Sequence, residues 1–186
     1  MDCLSCRRKS CRSVQSCGAE KFRKNDVLDT YGQVKHSQLV RNAASLVDNG
    51  RGGTLSRIQE LIEFAVGGEY RKVGLAYCYG MEKTAGDIRR MFLDGGVPCI
   101  GISCTCGAMA QSEINSESRL PGVSCNPVSQ AAQLTAEGVD LAVQVGLCLG
   151  HDILFTREFA GDQTTLVVKD RVHGHNPLAG VEVGRQ

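Results

Sequence analysis

The chain has 186 residues, 42% hydrophobic and 22% charged, which suits one α/β domain with a small appendage and argues against overall disorder. Its longest apolar runs, near 73–77 and 141–149, are too short to span a bilayer. The net charge of +1 excludes strong global attraction to nucleic acid or an anionic membrane.

Residues 1–25 have no apolar periodicity and cannot build a core, but they hold Cys3, Cys6, Cys11 and Cys17. A helix is predicted over 30–49, with Val34, Leu39, Val40, Ala43, Leu46 and Val47 as its stripe and Asn49-Gly50 as its stop. Thr54 is the expected N-cap of a second helix, Leu55–Val66, which Gly67-Gly68 ends. A β/α alternation follows. The apolar run 73–77 reads as a strand ending in Cys78, and 82–93 as an amphipathic helix stopped by Gly95-Gly96. Residues 97–103 read as a second strand, ending in Cys104-Thr105-Cys106-Gly107. Residues 107–124 read as polar loop, and Cys125-Asn126-Pro127 opens a helix through Glu137, since Asn caps well and Pro fits the first helical position. A third strand, 139–145, runs into Gly146-Leu147-Cys148-Leu149-Gly150-His151-Asp152. A short helix near 152–159, a fourth strand at 164–168 and a last helix opened by Asn176-Pro177 complete the chain. Strands alternating with helices at this spacing predict a parallel, four-stranded, Rossmann-like sheet flanked by helices. The expected division is a Cys-rich knuckle at 1–25 and an α/β domain at 26–186 with a helical lead-in over 30–67.

Ten cysteines stand beside no Trp and five Phe, a density of about 5% that falls below that of a small disulfide scaffold. The start, Met1-Asp2-Cys3-Leu4-Ser5-Cys6, has no apolar core, so no secretory signal is expected and the default compartment is a reducing cytoplasm. Clustered thiols there point to metal or redox chemistry rather than to structural disulfides. The spacing Cys3-x2-Cys6-x4-Cys11-x5-Cys17 keeps four thiols within short loops, which can close on one metal at low entropic cost. It fits a tetrahedral zinc site or an iron–sulfur cluster and does not choose between them. Residues 1–24 carry seven Lys/Arg against Asp2 and Glu20, whereas the remainder has 14 basic and 18 acidic residues. Four thiolates on a divalent metal leave a charge of about −2, which nearby cations stabilise. With Phe22 as the one aromatic there, this reading is preferred to nucleic-acid binding.

Cys78, Cys104, Cys106 and Cys148 follow the predicted ends of three strands, and all strand C-termini of a parallel sheet share one edge, where ligands bind. Cys125 precedes a helix start, whose dipole favours thiolate, and it is expected to be the more acidic thiol. These five form a second candidate cluster, for an iron–sulfur centre or another metal, which His151 can join or gate. Cys99, inside a strand, reads as a small core residue. His173 and His175 can chelate metal or order the loop before Asn176-Pro177, the second being preferred. Asp152 and Asp170 can support ligands or cap helices.

Several segments resemble one family along nearly the whole chain: Leu75-Ala76-Tyr77-Cys78-Tyr79-Gly80, Cys125-Asn126-Pro127, Gly146-Leu147-Cys148-Leu149-Gly150-His151-Asp152 and Lys169-Asp170-Arg171-Val172-x-Gly174-His175-Asn176-Pro177. It is an uncharacterised bacterial and archaeal family of Cys-rich proteins described as metal-binding, a domain of unknown function. The resemblance implies metal binding and brings no reaction or substrate. The family shows one cysteine after the second strand and this chain has two, Cys104 and Cys106, which leaves the equivalent ligand open.

The favoured function is therefore metal binding, with a metal ion or cluster as the partner and a small molecule or redox protein beyond it. One rival is a thiol-dependent enzyme with Cys125 or Cys148 as nucleophile, His151 as base and no second metal. Another is a zinc-knuckle interaction module. Neither a membrane nor nucleic acid is an expected partner.

Overall fold

A computed structural model describes residues 2–184; Met1, Arg185 and Gln186, at the ends of the two expected domains, lie outside the described residues. The chain divides into two compact units, Met1–Ser45 and Leu46–Gln186, so the Cys-rich segment shares its unit with two helices.

In the first unit a 3-10 turn at Ser10–Ser13 is flanked by Lys9 and Val14, both left-handed. Two helices follow, α1 (Lys24–Gly32) and α2 (Val34–Ser45). The single helix expected over 30–49 is thus broken. Gly32 ends α1, and Gln33 is extended at φ −62° and ψ 137°, which no helix can carry through. Neither helix has a buried residue.

The second unit opens with a turn in which Asn49 and Gly50 both have positive φ. Helix α3 (Arg57–Gly67) starts at Ser56 rather than Thr54, because Gln59 Oε1 accepts from the Ser56 amide and hydroxyl at 2.9 and 2.7 Å. The alternation then follows as β1 (Val73–Tyr77), α4 (Glu82–Asp94), β2 (Cys99–Ser103), α5 (Gln111–Ile114), α6 (Pro127–Ala136), β3 (Leu141–Val145), α7 (His151–Glu158), β4 (Asp162–Val167) and α8 (Pro177–Val183). The polar 107–124 segment is more ordered than a loop. It contains α5 and an antiparallel bridge between Ala110 and Val123.

The sheet is four-stranded and parallel, in the order β2-β1-β3-β4. Period-2 alternation sorts the strand residues into two cores. Val73, Leu75, Leu141, Val143 and Val145 pack with Leu61 and Ala65 of α3 and Ala85, Ile88 and Phe92 of α4. Ala76 and Ala142 pack with Ala131 and Leu134 of α6 and with Phe155 of α7. Gly74 lets α6 approach, for a Cβ there would lie 2.7 Å from Leu134 Cδ2. The α/β architecture expected from the alternation is present. Among the described residues no helix is long and apolar enough to cross a membrane.

The order also fixes a switch point. From β1 the chain steps outward to β2, then returns to β3 on the other side and continues to β4. The ends of β1 and β3 therefore border the crevice where open α/β sheets bind ligands.

Candidate metal centre

Every strand end contributes to this crevice. Cys78 directly follows β1 and Cys104 directly follows β2. Cys148 lies three residues after β3, and Lys169 and Arg171 come two and four residues after β4. The ladders continue past the strands and hold these backbones in place. Cys78 N–H donates to Val145 O at 3.1 Å, Cys104 N–H to Tyr77 O at 2.9 Å, and Gly146 N–H to Val167 O at 2.8 Å. Gly146 turns the chain with φ +64°, and a Cβ there would sit 2.9 Å from Met81 Cγ.

Cys125 reaches the same place from the other side. Asn126 N–H donates to Cys104 O at 2.7 Å, which lays the start of α6 against the β2 end. Asn126 caps α6 as its sequence indicates, with Oδ1 accepting from Ser129 N–H at 3.0 Å. Gln130, one turn on, ties α6 to two strand ends by donating from Nε2 to Tyr77 O and Ile102 O at 3.1 and 2.8 Å.

The side chains meet as follows. The Cys125 thiol donates to Cys104 Sγ at 3.5 Å. Cys104 is 2% exposed and also accepts from Tyr79 N–H at 3.4 Å. Lys169 Nζ donates to Cys78 Sγ at 3.3 Å, and Arg171 Nη2 donates to Cys148 Sγ at 3.1 Å. The structure thus gathers Cys78, Cys104, Cys125 and Cys148 with two cations. Cys106 Sγ instead donates to the Asn126 carbonyl at 3.9 Å. Cys99 lies in the first core and donates to Ile100 O. His151 opens α7 with its backbone N–H on Cys148 O at 2.9 Å, and among the described residues its ring has no hydrogen-bond partner.

Burial dominates the electrostatics of the central pair. It pushes the Cys104 thiol up to about 12, against the Tyr79 amide. It also pushes the Cys125 thiol up, with Cys148 and Cys78 adding to the rise and Arg171 opposing it. The acidic Cys125 expected from the helix dipole is therefore not found, because desolvation outweighs the dipole and Asn126 already occupies the Ser129 amide. The hydrogen bond to Cys148 Sγ holds the Arg171 guanidinium more firmly protonated.

Lys169 and Arg171 are set by a loop that Asp170 knits together. Asp170 Oδ1 accepts from Val172 and His173 N–H, both at 2.9 Å, and Oδ2 pairs with His173 Nδ1 at 3.0 Å. His175 Nδ1 accepts from Asp170 N–H at 3.2 Å. The two histidines thus order the loop, and Asp152, in the first turn of α7, accepts from Gly150 and Ile153 N–H. Sequence reasoning about ligands passes over the two cations. A signal for them exists: Lys-Asp-Arg stands just past the fourth strand, as the cysteines stand past the other three.

In the first unit, Cys3, Cys6, Cys11 and Cys17 line one cavity of about 480 Å3 with Arg8, Lys9 and Phe22. Lys9 Nζ donates to Cys3 O. The Lys9 amide, donating to sulfur, holds the half-buried Cys6 thiol below its usual range. Among the described residues no three His, Cys, Asp or Glu side chains stand close enough to hold a metal ion, in either unit. The donor set nevertheless suits a soft metal. Two sulfurs on one tetrahedral ion with bonds of about 2.3 Å lie about 3.8 Å apart, close to the 3.5 Å between Cys104 and Cys125. Cys78 and Cys148 are drawn toward Lys169 and Arg171 instead.

The comparisons agree with this reading of the chain's kinship. A protein of Methanocaldococcus jannaschii, itself uncharacterized, is 31% identical over 186 residues, covering 97% of this chain and 93% of its own. No solved structure gives a significant match. The model of the family described as "Protein of unknown function (DUF1847)" matches residues 16–166, and the chain belongs to that family.

Proposed function

We propose that the protein binds two thiolate-held metal centres. One is a structural centre on Cys3, Cys6, Cys11 and Cys17. The other, at the sheet edge on Cys78, Cys104, Cys125 and Cys148, serves redox or metal and sulfur handling. One observation supports the reading: Cys104 and Cys125, from separate segments, bring their sulfurs to 3.5 Å at the sheet edge where Cys78 and Cys148 also follow strand ends. Chance packing of small hydrophobes would not place a Lys and an Arg on the remaining two. Four thiolates around a divalent ion, or holding an iron–sulfur cluster, leave a charge of about −2, and Lys169 and Arg171 supply the balance. Cys104 is the cysteine after the second strand that belongs to this set. A zinc ion would supply a Lewis acid or a transferable cargo there, and an iron–sulfur cluster would supply electron transfer.

Arg171 favours one rival in a single respect. Arg171 Nη2 donates to Cys148 Sγ at 3.1 Å, so in a thiol-dependent enzyme the nucleophile with a cation beside it is Cys148 rather than Cys125.

The test is anaerobic purification, with metal and acid-labile sulfide measured per chain beside the visible spectrum. Two centres are expected in the native protein. Cys78→Ser with Cys148→Ser should remove one, and Cys6→Ser with Cys11→Ser the other. Unchanged metal content in both double variants, with the helical signal intact, sinks the reading.

A further inference from the structure

We propose that Cys104 and Cys125 are a redox modification site: a two-electron oxidant of the peroxide class converts them to a reversible disulfide. That disulfide would withdraw two of the four sulfurs at the sheet edge, a consequence that rests on the metal reading above.

Geometry selects this pair. The sulfurs stand 3.5 Å apart, and a disulfide needs about 2.0 Å, a gap that side-chain rotation closes. The backbones are already held side by side by the Asn126 N–H to Cys104 O bond. The segment between them is folded back on itself, with Gln111 N–H on Gly122 O and Ser124 N–H on Met109 O, both at 2.9 Å. Closing the bond therefore asks little of the chain, although the cysteines are 21 positions apart. The other two sulfurs have different partners, Lys169 for Cys78 and Arg171 for Cys148, and Cys106 faces a carbonyl. The surroundings favour a neutral product. Cys104 packs with Ala76, Leu134, Leu147 and Phe155 and is 2% exposed, so a disulfide suits the site better than a free charge.

Exposure sets the order of events. Cys125 is half-buried and Cys104 fully so, which makes Cys125 the sulfur that peroxide reaches. Its sulfur attacks one peroxide oxygen and the O–O bond breaks. Hydroxide leaves, takes up the thiol proton as water, and a sulfenic acid remains. Cys104 then attacks that sulfur and the S–O bond breaks. A second hydroxide leaves and takes the Cys104 proton as water. Two thiols and one hydrogen peroxide give one disulfide and two waters, the sulfurs losing the two electrons that the peroxide gains. A dithiol reductant reverses the step by exchange.

The experiment treats the full chain with stoichiometric hydrogen peroxide, with and without prior zinc, and maps the cross-linked peptides without reduction. A Cys104–Cys125 link is expected. It should be lost in Cys104→Ser and in Cys125→Ser, kept in Cys106→Ser, reversed by dithiothreitol, and suppressed severalfold by zinc. Circular dichroism of each variant guards against unfolding, and mapping of the native chain needs no variant at all. A link through Cys106 or Cys148, or oxidation of the pair without any link, overturns the proposal. Bound zinc with no link overturns the disulfide and leaves the metal reading standing. A Cys104–Cys125 link indifferent to zinc supports the disulfide and overturns zinc as the metal of the sheet edge.

Discussion

The two groups of cysteines have the same ligand chemistry and opposite architecture. Cys3, Cys6, Cys11 and Cys17 are neighbours in sequence, three of them exposed, in a segment where Leu4 and Val14 are 94% and 96% exposed. Cys78, Cys104, Cys125 and Cys148 are distant in sequence, and parallel strands and the α6 cap bring them to one edge over a packed core. A local group can be gathered by whatever it binds, because its loops are short and little else constrains them. A topological group is gathered by folding, before any ligand arrives, so its ligand needs to contribute less to order. The first arrangement suits a structural role and the second a centre that can be loaded and emptied.

The largest effect that tests this contrast is in packing. Phe155 is 0% exposed and stacks on Phe159 with ring centroids 5.7 Å apart. Phe155→Ala should cost about 3–5 kcal/mol in a urea titration. Leu4→Ala, at an exposed position, should stay within about 0.5 kcal/mol. If the two costs come out alike, the N-terminal segment has a core of its own and the contrast fails.

A smaller effect probes how the sheet edge is held. Gln130 is 0% exposed, and its amide nitrogen ties the Tyr77 and Ile102 carbonyls, next to Cys78 and near Cys104. Its Oε1 has no partner among the described residues, so substitution removes the two donated bonds and nothing else polar. Gln130→Leu should cost about 2 kcal/mol by removing two buried hydrogen bonds, although Tyr77 O keeps the one it accepts from Cys104 N–H. It should also speed alkylation of Cys104, which is read by mass spectrometry. A stability loss with no change at Cys104 would mean that the strand ladders alone position the cysteine.

What the sequence made legible follows the same division. The first three strands are short, mainly apolar runs, and the Asn126-Pro127 cap and the Gly stops behave as local chemistry predicts. The strand-end position of Cys78, Cys104 and Cys148 follows from parallelism alone. Three things were hidden. The break at Gln33 falls just before the apolar stripe that begins at Val34, where periodicity has nothing to register. The fate of Cys125 depends on desolvation, which a helix start in sequence does not reveal. The contribution of Lys169 and Arg171 depends on β4 lying beside β3, so the Lys-Asp-Arg after the fourth strand becomes a signal only once the strand order is known.

The smallest effect concerns the cysteine that belongs to neither group. Cys99 is 3% exposed within the first core, and burial pushes its thiol up to about 12, with Arg89 opposing. Cys99→Ala removes one buried sulfur, at a cost of about 1 kcal/mol near neutral pH. It should leave metal content unchanged, unlike any serine substitution in the sheet-edge group. The pH dependence has a definite sign. Between the ordinary thiol value of 9.0 and about 12 the unfolded chain releases this proton while the folded chain keeps it. The unfolded state then binds fewer protons, so stability falls as pH rises through that window and is untouched below it. Cys104 is raised as far, so Cys99→Ala should lessen the alkaline loss without abolishing it. Urea titrations of both proteins at about pH 8 and about pH 10.5, on either side of the thiol's ordinary range, isolate the difference. Equal losses in the two proteins would mean that Cys99 gives up its proton as readily folded as unfolded, and that this strand opens to water far more than a core strand should.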